Sequence, residues 1–262
     1  MQLIGIFKRI WLDFSAIPRE VKQMPGNKYG NSVKLFLDKC VRTIGYLWHI
    51  TFRNRKYDNK LERLGNYRIV ADSLNSDSIV YSCGVAENIQ FDEAVAAKYG
   101  CKVHMFDPTD KSRLYMKSVT NPNLDFHNIG IWSENGDIKF YHPNDPGSQN
   151  LSATNIFHSD TYVSIPCKTI ATLMSEFGHA SVDVLKMDIE GAAFEVLNGI
   201  LDSKVYPKQI VVELERPFFI FGAGLGEIVG YLITRFTLRK RLIKLGYELV
   251  ELKANELLAV KK

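Results

Sequence analysis

The stretch "VLKMDIEGAAFEVL", Val184–Leu197, joins a short apolar run to a longer one through two carboxylates and a glycine. The first four residues have the length and composition of a buried strand, and the residues after Gly191 place apolar side chains at helical spacing. In a parallel sheet, ligands bind outside the carboxyl ends of the strands. Asp188 and Glu190 follow such an end, and a period of two directs both to one face of an extended segment. The stretch therefore predicts an α/β sheet with two acids at its ligand-binding edge.

The sequence around this stretch repeats the alternation of strand and helix patterns. Further strands are predicted at residues 78–85, 101–108, 124–133, 136–143, 161–170, 208–217, 247–254 and 256–262. Helices are predicted at residues 91–100, 169–178, 192–201 and 224–245. The last two strands are joined by too few residues for a parallel crossover, so they must pair antiparallel. This pattern favours a mostly parallel sheet with helices on both faces and an antiparallel C-terminal hairpin.

The N-terminal quarter has a different pattern, because apolar residues recur at three- and four-residue steps in "VKLFLDKCVRTIGYLWHI", residues 33–50. We predict a helical extension over residues 1–65 that packs on the main domain, which then covers residues 66–262. A second interpretation is a substrate lid or a contact with a membrane surface, since Lys and Arg residues flank the apolar positions.

Composition narrows the class of protein further. The chain has 262 residues, 46% of them hydrophobic, and a net charge of +4, which is too weakly basic to indicate nucleic acid as a partner. The four cysteines form no CxxC pair and the six histidines have no paired-ligand spacing, so we predict neither a metal site nor a disulfide framework. No signal peptide or membrane span is recognised, and a cytoplasmic location is expected.

The first two strands carry features of a nucleotide-binding edge. Gly84 follows the first strand and lets the backbone approach a ligand, but Ala86 and Asn88 replace the later glycines of a dinucleotide fingerprint. Asp107 ends the second strand, 23 residues beyond Gly84, where an acid accepts hydrogen bonds from ribose hydroxyls. The alternative for Asp107 is a helix N-cap, since Pro108 suits the first helical position.

Taken together, "IVYSCGVAENIQF", "VHMFDPT", "NIGIWSENGDIKFY" and "LKMDIEGAAFEVLNGIL" resemble an FkbM-type S-adenosylmethionine-dependent methyltransferase. The resemblance runs from about residue 78 to the C-terminus. It implies a Rossmann-like class I methyltransferase fold with a seven-stranded sheet and S-adenosylmethionine as cofactor. It also implies methyl transfer to a hydroxyl of a sugar, glycan or small metabolite.

The resemblance also implies roles for single residues. The positions that match the family's cofactor-binding segments are Ser82, Gly84, Ala86, Asp107, Asn128, Gly130 and Ile131. Asp188 is the first choice for orienting the acceptor hydroxyl or taking its proton, and Glu190 is the second or binds the cofactor's amino group. Many members carry another acid where this chain has Ala192 and Ala193. The alternative for both Asp188 and Glu190 is capping of the next helix.

Substrate contacts are predicted from Glu213 at the end of the next strand and from His142 and His158 in a polar insert, where either histidine could replace Asp188 as base. Glu213 and Glu215 could instead join Asp188 around a divalent cation, which we do not predict.

The basic run "RFTLRKRLIK", residues 235–244, is typical of a solvated helix face. Its alternative is peripheral contact with an anionic membrane surface or a lipid-linked acceptor.

Two other functions remain open from the sequence alone. A nicotinamide-dependent oxidoreductase would use a similar sheet, but the missing glycines and the C-terminal hairpin argue against it. A non-catalytic module would bind a partner through the N-terminal extension, and the set of Gly84, Asp107 and Asp188 argues against that. The sequence thus predicts a methyltransferase that acts on a hydroxyl oxygen.

Overall fold

The computed structural model describes residues 51–52, 54–70, 72, 74–143, 151–155, 159–214, 225–253 and 255–262, with side chains for all of these except 225–229. The helical pattern of residues 1–50 lies outside the described residues, as do His158 and Glu215. The predicted domain division and the predicted membrane contact stay predictions.

The described chain alternates strands and helices in the predicted manner. In chain order the strands are β1 (Leu61–Leu64), β2 (Tyr67–Val70), β3 (Val80–Cys83), β4 (Val103–Phe106), β5 (Leu124–His127), β6 (Gly130–Ile131), β7 (Gly136–Tyr141), β8 (Tyr162–Lys168), β9 (Val184–Met187), β10 (Gln209–Glu213), β11 (Tyr247–Glu251) and β12 (Glu256–Lys261). The helices are α1 (Gln90–Tyr99), α2 (Asp110–Met116), α3 (Ile170–Phe177), α4 (Ala193–Asp202) and α5 (Leu225–Lys244).

The central sheet has seven strands in the order β11-β12-β10-β9-β3-β4-β5. Strands β10, β9, β3, β4 and β5 pair in parallel, whereas β12 pairs antiparallel with both β10 and β11. This arrangement confirms the mostly parallel Rossmann-like sheet with an antiparallel C-terminal hairpin. It brings the carboxyl ends of β9, β3 and β4 together at one edge, where ligands bind in such folds.

Both faces of the sheet are buried, which explains why its central strands are continuous apolar runs. Every residue of β3, β4 and β9 is buried. Alternate residues enter two core clusters: Tyr81 and Leu185 face helices α3, α4 and α5, whereas Val80 and Val184 face α1 and the hairpin formed by β1 and β2. The strand period of two thus divides one sheet between two cores.

The β1–β2 hairpin corrects the expected helical extension, which is wrong for residues 61–64. Here β1 pairs antiparallel with β2 around Gly65 and Asn66. Gly65 has a φ of +55°, and a Cβ there would lie 2.5 Å from the backbone of Gln90. Leu64, Tyr67 and Ile69 are buried against α1. The turn and the tertiary packing therefore override the helical pattern that precedes them.

The predicted strands at residues 136–143 and 161–170 form a sheet of their own with β6. Its order is β6-β8-β7, with β8 parallel to β6 and antiparallel to β7. An isolated bridge joins Tyr141 at the end of β7 to Ser152 in the polar insert that contains His142 and His158. The small sheet is relevant to function because Phe140 and Leu151 reach the ligand edge of the central sheet.

The basic run on α5 is only partly a solvated face. Arg235 and Arg239 are buried, and both donate hydrogen bonds to the buried carboxylate of Glu251 in β11. The sequence-based interpretation is wrong for these two residues because α5 packs that side against the sheet. Nearer the C-terminus, Arg241 pairs with Asp202 of α4. Among the described residues, no helix combines the length and apolarity that crossing a bilayer requires.

Candidate active site

A cavity of about 430 Å³ lies at the carboxyl ends of the central strands, beside the β1–β2 hairpin. Its walls come from the central sheet, the small sheet and the β1–β2 hairpin, and from the loops that follow β3, β4 and β9. The lining residues that carry polar side chains are Arg63, Asn66, Tyr67, Asn88, Asp107, Thr109, Lys111, Lys186, Asp188, Glu190, Glu213 and Lys253. Apolar walls are provided by Val85, Phe106, Pro108, Ile131, Phe140, Leu151, Ile189 and Ala192.

The turn after β3 needs a glycine because it packs directly on the end of β9. Gly84 has a φ of +80°, and a Cβ there would lie 1.7 Å from the carbonyl oxygen of Asp188. The Asp188 amide donates a hydrogen bond to the carbonyl of Cys83 at 3.0 Å. The buried ammonium of Lys186 donates to the carbonyl of Gly84. These contacts hold the turn after β3 beside Asp188.

Asp107 binds the same turn from the other neighbouring strand. Its Oδ2 accepts hydrogen bonds from the backbone amides of Val85 and Ala86 at 2.9 and 3.0 Å. Its Oδ1 accepts from the amide and the hydroxyl of Thr109 at 2.9 and 2.6 Å. The N-cap of α2 is Thr109, so the capping alternative for Asp107 is wrong. The buried carboxylate orders two loops of the cavity.

The acid after β9 is fixed by a tyrosine that sequence reasoning missed. The hydroxyl of Tyr67 in β2 donates a hydrogen bond to Oδ2 of Asp188 at 2.7 Å. Burial, followed by the charge of Asp188, raises the pKa of Tyr67 above its usual value, so the phenol keeps its proton. The turn residues Gly65 and Asn66, followed by the alternating pattern "YRIV", could have predicted a strand with Tyr67 on its buried face.

Glu213 joins this group from β10 and also lines the cavity. Burial raises the pKa of Glu213 most, and the charges of Asp188 and Glu256 raise it further. The side-chain amide of Asn255 donates a hydrogen bond to its carboxylate. Asp188 and Glu213 therefore line the same cavity in different environments. In many enzymes, two such carboxyl groups act as acid and base respectively.

Glu190 reaches the cavity by a route that differs from the expected one. The extended segment ends at β9, and Glu190 has a φ of +32° and Gly191 a φ of +81°. The period-two argument for Asp188 and Glu190 is therefore wrong, although both residues line the cavity. The N-cap of α4 is Ala192 without a side-chain hydrogen bond, so the capping alternative is also wrong. A non-glycine residue held in this backbone region is typical of functional turns.

Four other predicted residues do not line the cavity. Ser82 lies fully buried in β3, and the Asn128 side chain donates a hydrogen bond to the carbonyl of Asp107 at 2.9 Å. Gly130 is in β6, where a Cβ would lie 2.4 Å from the sulfur of Cys167. His142 is exposed beyond the end of β7. The predicted positions that do line it are Gly84, Ala86, Asp107, Ile131, Asp188, Glu190 and Glu213.

Comparison with known families agrees with the position of this cavity. Residues 78–249 match the model of the methyltransferase FkbM domain. The match begins just before β3 and extends into β11. It therefore includes every strand that contributes to the cavity except the two of the hairpin at residues 61–70.

Individual proteins are similar over shorter stretches. The chain is 30% identical over 142 residues to the human "Probable methyltransferase-like protein 24", which is 53% of this chain and 33% of that protein. The rat protein of the same name is 28% identical over 137 residues, 52% of this chain and 32% of that protein. The chain thus spans about a third of the curated relatives it matches.

Solved structures show a more distant similarity. The fibrillarin pre-rRNA processing protein of Methanococcus jannaschii is 11% identical, with a TM-score of 0.37 over 77% of this chain and 70% of that one. The precorrin-6y C5,15-methyltransferase of Geobacter metallireducens is 10% identical, with a TM-score of 0.35 over 72% of this chain and 84% of that one.

Proposed function

Because the chain belongs to the FkbM methyltransferase family, we propose that its cavity binds S-adenosylmethionine and directs methyl transfer to a hydroxyl oxygen of a sugar, glycan or small metabolite. The observation that carries this proposal is the Tyr67–Asp188 hydrogen bond inside a cavity at the ligand edge of the sheet. A carboxylate held in one orientation beside a cofactor site is suited to position an acceptor hydroxyl.

The residues present fit the cofactor. The cavity volume of about 430 Å³ is within the usual range for small-molecule sites. Val85, Phe106 and Ile131 offer apolar surface for a purine ring. The carboxylate of Glu190 suits the cofactor's ammonium group, and the guanidinium of Arg63 suits its carboxylate.

Asp107 has a more indirect part in this proposal than the sequence suggested. A carboxylate offers about four lone-pair sites, and Asp107 accepts four hydrogen bonds from Val85, Ala86 and Thr109. Binding of ribose hydroxyls by Asp107 would require one of these bonds to be exchanged. We therefore assign Asp107 first to ordering the cofactor loops, and its ribose contact stays a prediction.

The reaction needs an oriented hydroxyl and a place for its proton. Bound S-adenosylmethionine supplies an electrophilic methyl group on a sulfonium. Tyr67 fixes Oδ2 of Asp188, which leaves Oδ1 to accept the hydrogen bond of the acceptor hydroxyl. Oδ1 would then take the proton as the oxygen–methyl bond forms and the sulfur–methyl bond breaks, with S-adenosylhomocysteine as the leaving group. Glu213 is the second candidate base, because its pKa is raised and an efficient general base has a pKa near the working pH.

Two measurements test the proposal. Calorimetry should show binding of S-adenosylmethionine and S-adenosylhomocysteine but not of NAD. Asp188→Asn should retain that binding. Its turnover in an acceptor screen with labelled methyl donor should fall about 100-fold or more, the usual scale for a lost general base.

Tyr67→Phe should lose a smaller part of turnover with little change in cofactor affinity, because it removes only the group that orients Asp188.

The matched control is Glu195→Gln, because Glu195 lies on α4 outside the cavity and contacts Ser133. This variant should bind and turn over like the original chain. Binding of NAD alone would favour an oxidoreductase, and binding of none of the three ligands would favour a non-catalytic module. Undiminished turnover of Asp188→Asn would refute the role of Asp188 as base while leaving cofactor binding intact.

A further inference from the structure

Two histidines and an aspartate meet on the face of the sheet that α3 covers. The parallel register pairs His104 of β4 with Asp125 of β5, and His127 follows two residues later on the same face. The Nδ1 of His104 lies 3.4 Å from the Nε2 of His127 and 3.4 Å from the Oδ2 of Asp125. The Nε2 of His127 lies 3.6 Å from the same oxygen. Three potential ligand atoms therefore form a nearly equilateral triangle.

The edges of this triangle fit one face of a tetrahedral metal site. Zinc binds imidazole nitrogen and carboxylate oxygen at about 2.0–2.1 Å, which places neighbouring ligand atoms about 3.3–3.4 Å apart at tetrahedral angles. Octahedral coordination at the same bond length requires a shorter separation, about 3.0 Å. We propose that His104, Asp125 and His127 bind a divalent transition-metal ion of the zinc type, separately from the methyl-transfer cavity, whose lining contains none of the three.

The protein environment supports metal binding over a charged histidine pair. His104 is buried, and its ring stacks on Phe177 of α3 at 5.1 Å between centroids. Burial of the His104 ring favours the neutral imidazole, which is the form that binds metals. The rings must rotate modestly from their present hydrogen-bonded orientation to direct both lone pairs at one ion.

The site is accessible, because Asp125 and His127 retain 39% and 23% of their side-chain exposure. Solvent can therefore reach the ion and supply a fourth ligand. The nearby His179 has its Nδ1 engaged with the hydroxyl of Tyr81 at 2.8 Å and is not needed for the set.

The positive charge of Lys102 would repel a metal ion bound at this site. The ammonium of Lys102 lies 3.8 Å from Oδ2 of Asp125, and its side chain is more than half exposed. An exposed lysine can move away when a metal binds, but its charge lowers the affinity of the site. Removal of this charge should therefore strengthen metal binding, which a purely structural cluster of aromatic rings would not show.

The test is calorimetry with zinc chloride on the chelator-treated full chain. We expect one saturable zinc site whose affinity falls at least tenfold in Asp125→Asn and in His127→Asn. His142→Asn removes an exposed histidine outside the triad and should bind zinc like the original chain. Cobalt(II) in place of zinc should give the intense visible absorption of tetrahedral coordination, and magnesium should not compete.

The proposal fails if zinc affinity is the same in the original chain, Asp125→Asn and His127→Asn, or if no saturable site exists. Should either of those variants misfold, Lys102→Gln decides, because Lys102 is exposed and its loss leaves the core intact. Lys102→Gln should bind zinc several-fold more tightly, and unchanged affinity would overturn the assignment. S-adenosylhomocysteine binding is measured in parallel, and its loss would bear on the proposed methyl transfer and not on this site.

Discussion

The carboxylate of Asp107 illustrates how a residue's type and position can be predicted while its partners cannot. The sequence predicts both its position at the end of β4 and its separation of 23 residues from Gly84. Its four hydrogen bonds depend on where the amides of Val85 and Ala86 come to lie, and that is fixed by the pairing of β3 with β4. The side chain therefore orders the loops whether or not a ligand is bound.

Asp107→Asn tests this role in the absence of ligand. One of the two oxygens becomes an amide that cannot accept, so buried N–H groups lose a partner at a cost of about 1–3 kcal/mol in the free energy of unfolding. Urea denaturation of the ligand-free protein measures the loss. The control Asp110→Asn, on the exposed surface of α2, should change that free energy by less than about 0.5 kcal/mol. Equal stability of the two variants would mean that Asp107 does not anchor the turn.

Tyr67, His104 and Asp125 mark the limit of prediction at this scale. The sequence places Asp188 at the ligand edge, but the tyrosine that orients it lies 121 residues away along the chain. His104 and Asp125 are likewise brought together only by strand register. Metal-ligand spacing can be recognised along one segment of a sequence, whereas two side chains on neighbouring parallel strands leave no such pattern.

The elements themselves were predicted well where their hydrophobic period was uniform. Helix α1 is followed by Gly100 with a φ of +67°, and α3 is followed by Gly178 with a φ of +70°, a common way for helices to end. The β1–β2 hairpin was missed because its two strands have only four residues each and follow a long helical pattern. Short strands depend on tertiary partners, here α1 and the cavity, more than on local propensity.

Helix α5 also shows tertiary packing overriding a surface pattern. Five positive charges in ten residues indicate a solvated face, yet Arg235 and Arg239 are buried against Glu251 of β11. Each guanidinium loses its hydration on burial, so the carboxylate between them is what makes the packing tolerable. The carboxylate of Glu251 thus joins two arginines of α5 to β11.

Glu251→Gln should be strongly destabilising, because it removes the carboxylate charge that both buried guanidinium groups contact. Breaking a buried ion pair in this way costs about 3–5 kcal/mol in the free energy of unfolding. The control Glu176→Gln removes the exposed partner of Lys168 and should cost less than about 1 kcal/mol. Chemical denaturation of both variants compares the two costs. Similar small losses would show that Arg235 and Arg239 find other partners when the carboxylate is neutral.

At the scale of the whole molecule, the cavity lies where both cores meet the same edge of the sheet. Tyr67 belongs to the core that contains α1, whereas Phe106 and Ile131 belong to the core that contains α3 and α4. Asp188 and Glu213 extend from neighbouring parallel strands, β9 and β10, between these cores. The order of the strands in the sheet therefore brings Asp188 and Glu213 together. A ligand in the cavity would contact residues from both cores.

A cofactor bound at this place should stabilise the whole described domain and not one face of it. At a concentration of S-adenosylhomocysteine about 100 times its dissociation constant, linkage predicts a gain of about 2.7 kcal/mol in the free energy of unfolding. Calorimetric scans should show one transition that moves upward with ligand concentration, and NAD should leave it in place. Asp188→Asn should keep the shift, because we propose that its carboxylate acts on the acceptor and not on the cofactor. A shift confined to part of the heat absorption would mean that the two cores unfold independently and that the ligand contacts only one of them.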